Sequence, residues 1–193
     1  RRRRRAPRCS GVPAEVGATP FALVARQVHD GRHETWIVRG WQGPMRQYIE
    51  GLGGTVTTSQ AFTAGDPDVS AQLQSIKTSG AQAVYLPGYY TDVGNIVRQA
   101  RKLGIKVPFL GGDGWDSSKL AEIGGDAIEG SYYSNHYSFD EERPAVKEFV
   151  DKYQKRWGEV PDGLAALGYD AARVLFDAMD RSPSLKGKDL AAT

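Results

Sequence analysis

The sequence alternates short apolar runs with amphipathic stretches from residue 44 onward, and this alternation limits the folds that the chain can adopt. Residues 55–62 are rich in Thr and Val, while residues 83–86 and 107–110 are apolar runs of the length found in buried strands. The intervening stretches repeat apolar residues at helical spacing and end in glycine. Strand–helix–strand units of this length require right-handed crossovers. The sequence therefore predicts an α/β fold, in which helices cover both faces of a parallel sheet.

Further elements are predicted in the second half of the chain. We expect a short helix over residues 117–123, a strand near residues 130–136, and two longer helices over residues 144–157 and 164–179. The first of these longer helices has apolar residues at helical spacing, namely Val146, Phe149, Val150, Tyr153 and Trp157. No apolar run approaches the ~18 residues needed to cross a bilayer, so the sequence predicts no membrane-spanning segment.

The first 43 residues differ in composition from the rest of the chain. Residues 1–46 contain ten Arg, no Lys and three acidic residues, a net charge of +7. Residues 47–193 contain fifteen basic and twenty acidic residues, a net charge of −5. Because residues 1–43 show no sustained period and are interrupted by three prolines, we expect a disordered or poorly packed leader. A GC-rich coding strand read in the wrong frame would give the same composition.

The basic leader allows other interpretations. Runs such as Arg1–Arg5 occur in segments that bind nucleic acids. They also begin secretory signals, but the apolar core of about 7–15 residues that such a signal requires does not follow here. A solvated tail is the simpler interpretation, so we expect no nucleic-acid partner. His29 and His33 have the spacing of two metal ligands on a helix, yet no third ligand follows. Since Cys9 is the single cysteine, an internal disulfide is excluded as well.

Three loops follow the predicted strands and are candidates for a binding site. In a parallel sheet, ligands bind at the carboxyl ends of the strands. Here the sequence has Thr63-Ala64-Gly65-Asp66, Pro87-Gly88-Tyr89-Tyr90 and Gly111-Gly112-Asp113-Gly114-Trp115. Aromatic rings beside a carboxylate suit a small ligand that has a cationic group and an apolar part. In the alternative interpretation, Tyr89 and Tyr90 cover the sheet edge and Asp113 caps a helix.

Motifs for catalysis are absent from the sequence. There is no phosphate-binding loop, dinucleotide fingerprint, nucleophile elbow or zinc-protease motif. His136 is the only histidine after residue 44, and we expect it to form a hydrogen bond at a strand end. No nucleophile–base pair can be assembled from these residues. We therefore expect a binding protein without a cofactor or a metal, and not an enzyme.

Five segments resemble a known family in their order and spacing. They are TAGDPDVSAQL (63–73), LPGYY (86–90), RQARKLGI (98–105), GGDGW (111–115) and GYDAA (168–172). The chain is similar to the periplasmic binding proteins of branched-chain amino-acid ABC transporters, of the leucine/isoleucine/valine type. This family has the type I periplasmic-binding-protein fold, in which two α/β lobes close on an amino acid.

The resemblance implies a division of the chain. Residues 44–138 correspond to the ligand-binding α/β lobe, and residues 139–182 correspond to helices that return to the other lobe. Residues 183–193 correspond to a truncated tail. Residues 1–43 remain outside the resemblance, and most of the first lobe is not represented.

The resemblance also implies a function and a set of site residues. Tyr89 matches the tyrosine that packs against the ligand, and Asp113 matches the acid that pairs with its ammonium group. Trp115 is expected to line the side-chain pocket, and Tyr90 lies beside Tyr89. The expected function is capture of a branched-chain amino acid, or a similar small amide or acid, by a monomeric periplasmic or extracytoplasmic protein that delivers it to a membrane permease. A ligand-sensing domain of the same fold in a receptor or regulator is the alternative.

Overall fold

The structure is a computed structural model and describes residues 20–27 and 45–193. The chain divides into two compact units, one that ends at Ser134 and one that covers Asn135–Thr193. The first unit is built around a sheet, whereas the second contains helices.

All five described strands belong to one parallel sheet. The strands are β1 (Pro20–Gln27), β2 (Thr55–Thr63), β3 (Ala83–Tyr85), β4 (Phe109–Gly111) and β5 (Tyr132–Tyr133). Their order across the sheet is β2-β1-β3-β4-β5, and every neighbouring pair is parallel. The α/β class and the parallel sheet predicted from the sequence are confirmed. The last strand is much shorter than the predicted range of residues 130–136.

The position of β1 corrects the expectation for the leader. Residues 1–43 were expected to be disordered or poorly packed, but Pro20–Gln27 pairs with β2 on one side and with β3 on the other. For these eight residues the prediction is wrong. Their sequence, PFALVARQ, holds a continuous apolar run of the kind that a central parallel strand requires. Residues 1–19 and 28–44 lie outside the described residues.

Helices connect the strands of the first unit. They are α1 (residues 45–51), α2 (Ser70–Thr78), α3 (Tyr90–Lys102) and α4 (Ser118–Gly124), with 3₁₀ turns at Asp113–Trp115 and Gly125–Ile128. Gly80 and Gly104 follow α2 and α3 with φ of +71° and +81°. Glycine adopts this left-handed conformation without steric cost, which explains why the helices end there.

Side chains pack on both faces of the sheet. Val84, Leu86 and Phe109 are fully buried in a cluster with residues of α2, α3 and α4. Ala83, Tyr85 and Leu110 belong to a second cluster with Ile49 of α1. The alternation along β3 therefore assigns Val84 and Leu86 to one face, and Ala83 and Tyr85 to the other.

The second unit consists of three helices, α5 (Pro144–Trp157), α6 (Gly163–Arg181) and α7 (Gly187–Ala191). Phe149 of α5 packs against Tyr169 of α6, with ring centroids 4.7 Å apart. Asp162 caps α6, since its Oδ1 accepts a hydrogen bond from the Ala165 amide at 2.8 Å. In the described part of the chain, no helix combines the length and the apolar character of a membrane span.

Candidate functional site

The three predicted loops meet at the carboxyl edge of the sheet. The Gly65 amide donates to Oδ1 of Asp92 at 3.1 Å, which connects the loop after β2 with the first turn of α3. Within that loop, the Thr63 amide donates to Oδ2 of Asp66 at 3.0 Å. A Cβ on Gly88 would lie 3.9 Å from Cζ of Phe62. These contacts bring together the segments that follow β2 and β3, which β1 separates in the sheet.

The loops after β3 and β4 are joined more closely. The Leu86 amide donates to the Leu110 carbonyl oxygen at 2.8 Å, and Trp115 Nε1 donates to the Leu86 carbonyl oxygen at 3.0 Å. A Cβ on Gly114 would lie only 2.6 Å from the Gly88 carbonyl oxygen and 3.3 Å from Cδ1 of Tyr89. The turn at residues 113–115 therefore rests on the loop that contains Tyr89, and only glycine fits at this contact.

Tyr89 and Tyr90 lie at the start of α3. Tyr89 occupies the N-cap position with an extended backbone, and 44% of its surface is exposed. Tyr90 is the first helical residue, is partly buried, and packs against the main core cluster. Tyr89 therefore presents a ring at the edge of the sheet, while Tyr90 supports the core beneath it.

Asp113 begins the 3₁₀ turn after β4, and its side chain is exposed. The helix that follows, α4, is capped by Ser117, whose Oγ accepts a hydrogen bond from the Lys119 amide at 3.2 Å. The alternative interpretation, in which Asp113 caps that helix, is therefore wrong. Asp113 directly precedes Gly114, which lies against Gly88 and Tyr89, so the backbone of Asp113 is close to the loop of Tyr89. The pairing of Asp113 with a cationic group of a ligand stays a prediction.

The position of Trp115 differs from the expected one. Its side chain is 1% exposed and packs in the core, where its ring centroid lies 6.2 Å from that of Tyr133. The indole is fixed by the hydrogen bond to Leu86 and lies against Gly111, where a Cβ would come within 2.1 Å of the ring. Because no substantial part of the ring is exposed, Trp115 anchors the turn and does not line a pocket in this structure.

Tyr85 is a residue of this region that the sequence analysis did not select. It ends β3 and is half-buried. Burial, and to a lesser extent the negative charge of Asp113, raise the pKa of Tyr85 above its ordinary value. Tyr85 was missed because it lies in the apolar run of residues 83–86, which predicts only a buried strand.

Metal binding has no support in the described residues. Among residues 20–27 and 45–193, no three His, Cys, Asp or Glu side chains are grouped as a metal site would require. The polar groups at the sheet edge suit an organic ligand, because carboxylate and tyrosine side chains provide hydrogen bonds and an apolar wall.

Comparison with known proteins relates the whole described region to one family. A family model described as periplasmic binding protein matches residues 38–193. The leucine-specific-binding protein of Salmonella typhimurium is 31% identical, in an alignment that covers 95% of this chain and 51% of that protein. The chain thus spans about half the length of such relatives.

Solved structures give the same result. The leucine binding protein LivK from Thermotoga maritima superposes with a TM-score of 0.80 and 35% identity, over 93% of this chain and 49% of that chain. The substrate binding protein LivJ from Streptococcus pneumoniae, solved in complex with isoleucine, has a TM-score of 0.70 and 27% identity. That match covers 86% of this chain and 46% of LivJ. The α/β architecture described above is thus that of the type I fold.

Proposed function

We propose the function of this chain from its family. The chain belongs to the periplasmic binding protein family. The chain is the ligand-binding segment of an extracytoplasmic solute-binding protein, which captures a branched-chain amino acid or a similar small molecule for an ABC transporter. The relatives support this proposal, since they include a leucine-specific-binding protein and a LivJ protein solved with isoleucine. The proposed partner is the membrane permease of the transporter, and the proposed state is a monomer.

The observation that carries the proposal is the contact between the turn of Asp113 and the loop of Tyr89. Gly114 lies against the Gly88 carbonyl group and the Tyr89 ring, so the segments that contain Asp113 and Tyr89 are in contact. A ligand ammonium that leaves water needs a negative partner and further acceptors. Asp113 supplies the charge, and Tyr89 supplies an apolar wall with a polar end.

The remaining site residues have supporting roles in this proposal. Trp115 fixes the turn at residues 113–115 to the end of β3, because its Nε1 donates a hydrogen bond to the Leu86 carbonyl oxygen. Tyr90 packs beneath Tyr89 against the core. Binding and release need no proton transfer or covalent step, so the proposal assigns these residues no catalytic role.

The test is the substitution Asp113→Asn in a completed protein. This segment is joined to the half of the Thermotoga maritima leucine binding protein that it does not cover, and calorimetry measures the binding of leucine, isoleucine and valine. Removal of one partner from a desolvated charge pair costs about 2–5 kcal/mol, roughly 30- to 5,000-fold in affinity. The control is Asp151→Asn, an exposed position on α5, which leaves the affinity unchanged.

The same measurements can overturn the proposal. If the folded completed protein binds none of the three amino acids, the proposed ligand class is wrong. If Asp113→Asn retains an affinity within about threefold of the parent, ligand recognition by the Asp113 carboxylate is wrong. Circular dichroism of each variant verifies that the fold is intact.

A further inference from the structure

Tyr133 holds the turn at residues 113–115 from the side of the last strand. It ends β5, where it is paired with Gly111 of β4. Its hydroxyl donates to Oδ1 of Asp116 at 3.0 Å, and its ring centroid lies 6.2 Å from that of Trp115. Tyr133 is partly buried against the main core cluster, so water competes less for this hydrogen bond than it would at an exposed position.

Asp116 connects Tyr133 with the backbone of Asp113. The Asp116 amide donates to the Asp113 carbonyl oxygen at 3.0 Å, and the Trp115 amide donates to the Gly112 carbonyl oxygen at 3.1 Å. These two bonds close the 3₁₀ turn. The carboxylate at the end of the same turn accepts from Tyr133. A continuous chain of hydrogen bonds therefore runs from the Tyr133 hydroxyl through Asp116 to Asp113.

The turn is thus attached to both neighbours of the strand that leads into it. That strand, β4, lies between β3 and β5 in the sheet. Trp115 binds the turn to the Leu86 carbonyl oxygen at the end of β3, and Asp116 binds it to β5. A loop that is fixed at two points loses less conformational entropy on ligand binding than a mobile loop does. The backbone of Asp113 is therefore held in place before a ligand binds.

We propose that Tyr133 and Asp116 are positioning residues for ligand recognition, whose hydrogen bond fixes the turn that contains Asp113. The inference rests on the proposed function, because it gives the pair its role through the ligand contact at Asp113. The pair thereby favours ligands with a cationic group, since Asp113 is the residue that such a group meets in the proposed site. Neither positioning side chain needs to touch the ligand.

The first test measures the turn in this chain without a ligand. Hydrogen exchange of single amides, followed by NMR, compares the parent with Tyr133→Phe, which keeps the ring and removes the hydroxyl. Exchange of the Trp115 and Asp116 amides is expected to accelerate about 3- to 12-fold, the effect of one lost hydrogen bond on local opening. The matched control is Tyr132→Phe, at a neighbouring side chain of β5 that is 50% exposed, and it should leave these rates unchanged. Equal rates in Tyr133→Phe and the parent overturn the inference.

The second test replaces the acceptor of the same hydrogen bond. Asp116→Asn retains an oxygen that accepts from the Tyr133 hydroxyl, whereas Asp116→Leu retains none. Exchange of the Trp115 amide should therefore stay within about twofold of the parent in Asp116→Asn, and should accelerate in Asp116→Leu as it does in Tyr133→Phe. Equal acceleration in both Asp116 variants would show that the hydrogen bond does not fix the turn.

The third test measures the consequence for binding, by NMR titration of this chain with leucine up to its solubility limit. Tyr133→Phe is expected to weaken leucine binding about 2- to 12-fold, and the upper value is the effect of one fully lost hydrogen bond. Tyr132→Phe should leave the affinity unchanged. Binding of 4-methylpentanoate, which lacks the ammonium group, should not respond to Tyr133→Phe.

The outcomes separate the two proposals. If Tyr133→Phe accelerates exchange in the turn but leaves leucine binding unchanged, or weakens both ligands equally, the pair is only structural and the inference is wrong. If the parent chain binds no leucine, the result counts against the proposed function of this segment and against the ligand role of the pair. Hydrogen exchange decides separately whether Tyr133 and Asp116 fix the turn.

Discussion

The indole N–H of Trp115 donates to the carbonyl oxygen of Leu86 at 3.0 Å, and both residues are almost completely buried. This hydrogen bond joins the turn after β4 to the end of β3. It satisfies a polar atom that would otherwise be costly in the core. The loops that contain Asp113 and Tyr89 consequently share one buried anchor.

We expect Trp115→Phe to destabilise the fold because of this bond. The smaller ring leaves a cavity and removes the donor from the Leu86 carbonyl group, which together cost about 2–4 kcal/mol. Urea denaturation followed by circular dichroism measures the free energy of unfolding. The control Trp157→Phe, at a side chain that is 64% exposed on α5, should change it by less than about 0.5 kcal/mol. Equal stabilities of the two variants would contradict the anchoring role.

Two adjacent glycines should respond differently to alanine. A Cβ on Gly111 would lie 2.1–2.6 Å from three atoms of the Trp115 indole, whereas a Cβ on Gly112 meets no atom within 4 Å. The backbone of Gly112 is extended and suits any residue. Gly111→Ala should therefore destabilise by about 1–3 kcal/mol through overpacking, and Gly112→Ala by less than about 0.5 kcal/mol. Thermal denaturation of the pair checks this order, and the reverse order would show that the indole does not hold the position described.

Arg101 is a second anchor, at the opposite end of α3. Its guanidinium donates to the carbonyl oxygens of Ala127 (3.0 Å), Ile105 (2.8 Å), Val107 (2.9 Å) and Glu129 (3.4 Å). It also lies 5.3 Å from the Phe109 ring centroid. Burial lowers the pKa of Arg101, although a guanidinium remains charged in proteins.

Replacement of Arg101 by methionine should cost about 2–4 kcal/mol, because several carbonyl groups lose their donor at once. Arg98→Met is the matched control on the same helix, since Arg98 is exposed and makes one long bond of 3.4 Å to Ile123. We expect this control to change the free energy of unfolding by less than about 0.5 kcal/mol. Urea denaturation distinguishes the two, and a similar small loss for both would mean that the carbonyl contacts of Arg101 contribute little.

The pKa of Tyr85 predicts a dependence of stability on alkaline pH. Because the folded state raises this pKa, mainly through burial, the protonated phenol is favoured in the fold. Its contribution is complete below the unfolded pKa of about 10 and is lost as the pH rises through the folded value. The free energy of unfolding should therefore fall more steeply above about pH 10 in the parent than in Tyr85→Phe. Parallel slopes between pH 8 and pH 11 would rule this effect out.

The sequence by itself determined the parts of the fold that depend on local pattern. The alternation of short apolar runs with helical spacing predicted α2, α3 and the parallel sheet, and glycines marked the helix ends. The same pattern, with the rule that ligands bind at the carboxyl ends of strands, selected the loops of Tyr89 and Asp113. These features are readable because each one repeats within a few residues of the chain.

The tertiary structure decided which of these residues share an environment. Pro20–Gln27 lies in a strongly basic context, and only pairing with strands more than thirty residues away in the sequence, at Thr55 and Ala83, identifies it as a central strand. Trp115 was expected to line the side-chain pocket. Its ring lies in the core instead, because its Nε1 donates to the Leu86 carbonyl oxygen and Gly111 has no side chain that would occupy the space of the indole. Tyr85 lies in an apolar run, and only the packing of the sheet shows that it is half-buried on the face opposite the main core. Local periodicity fixes whether a residue is in a strand or a helix, whereas its partners are set by contacts between distant segments, which no short pattern encodes.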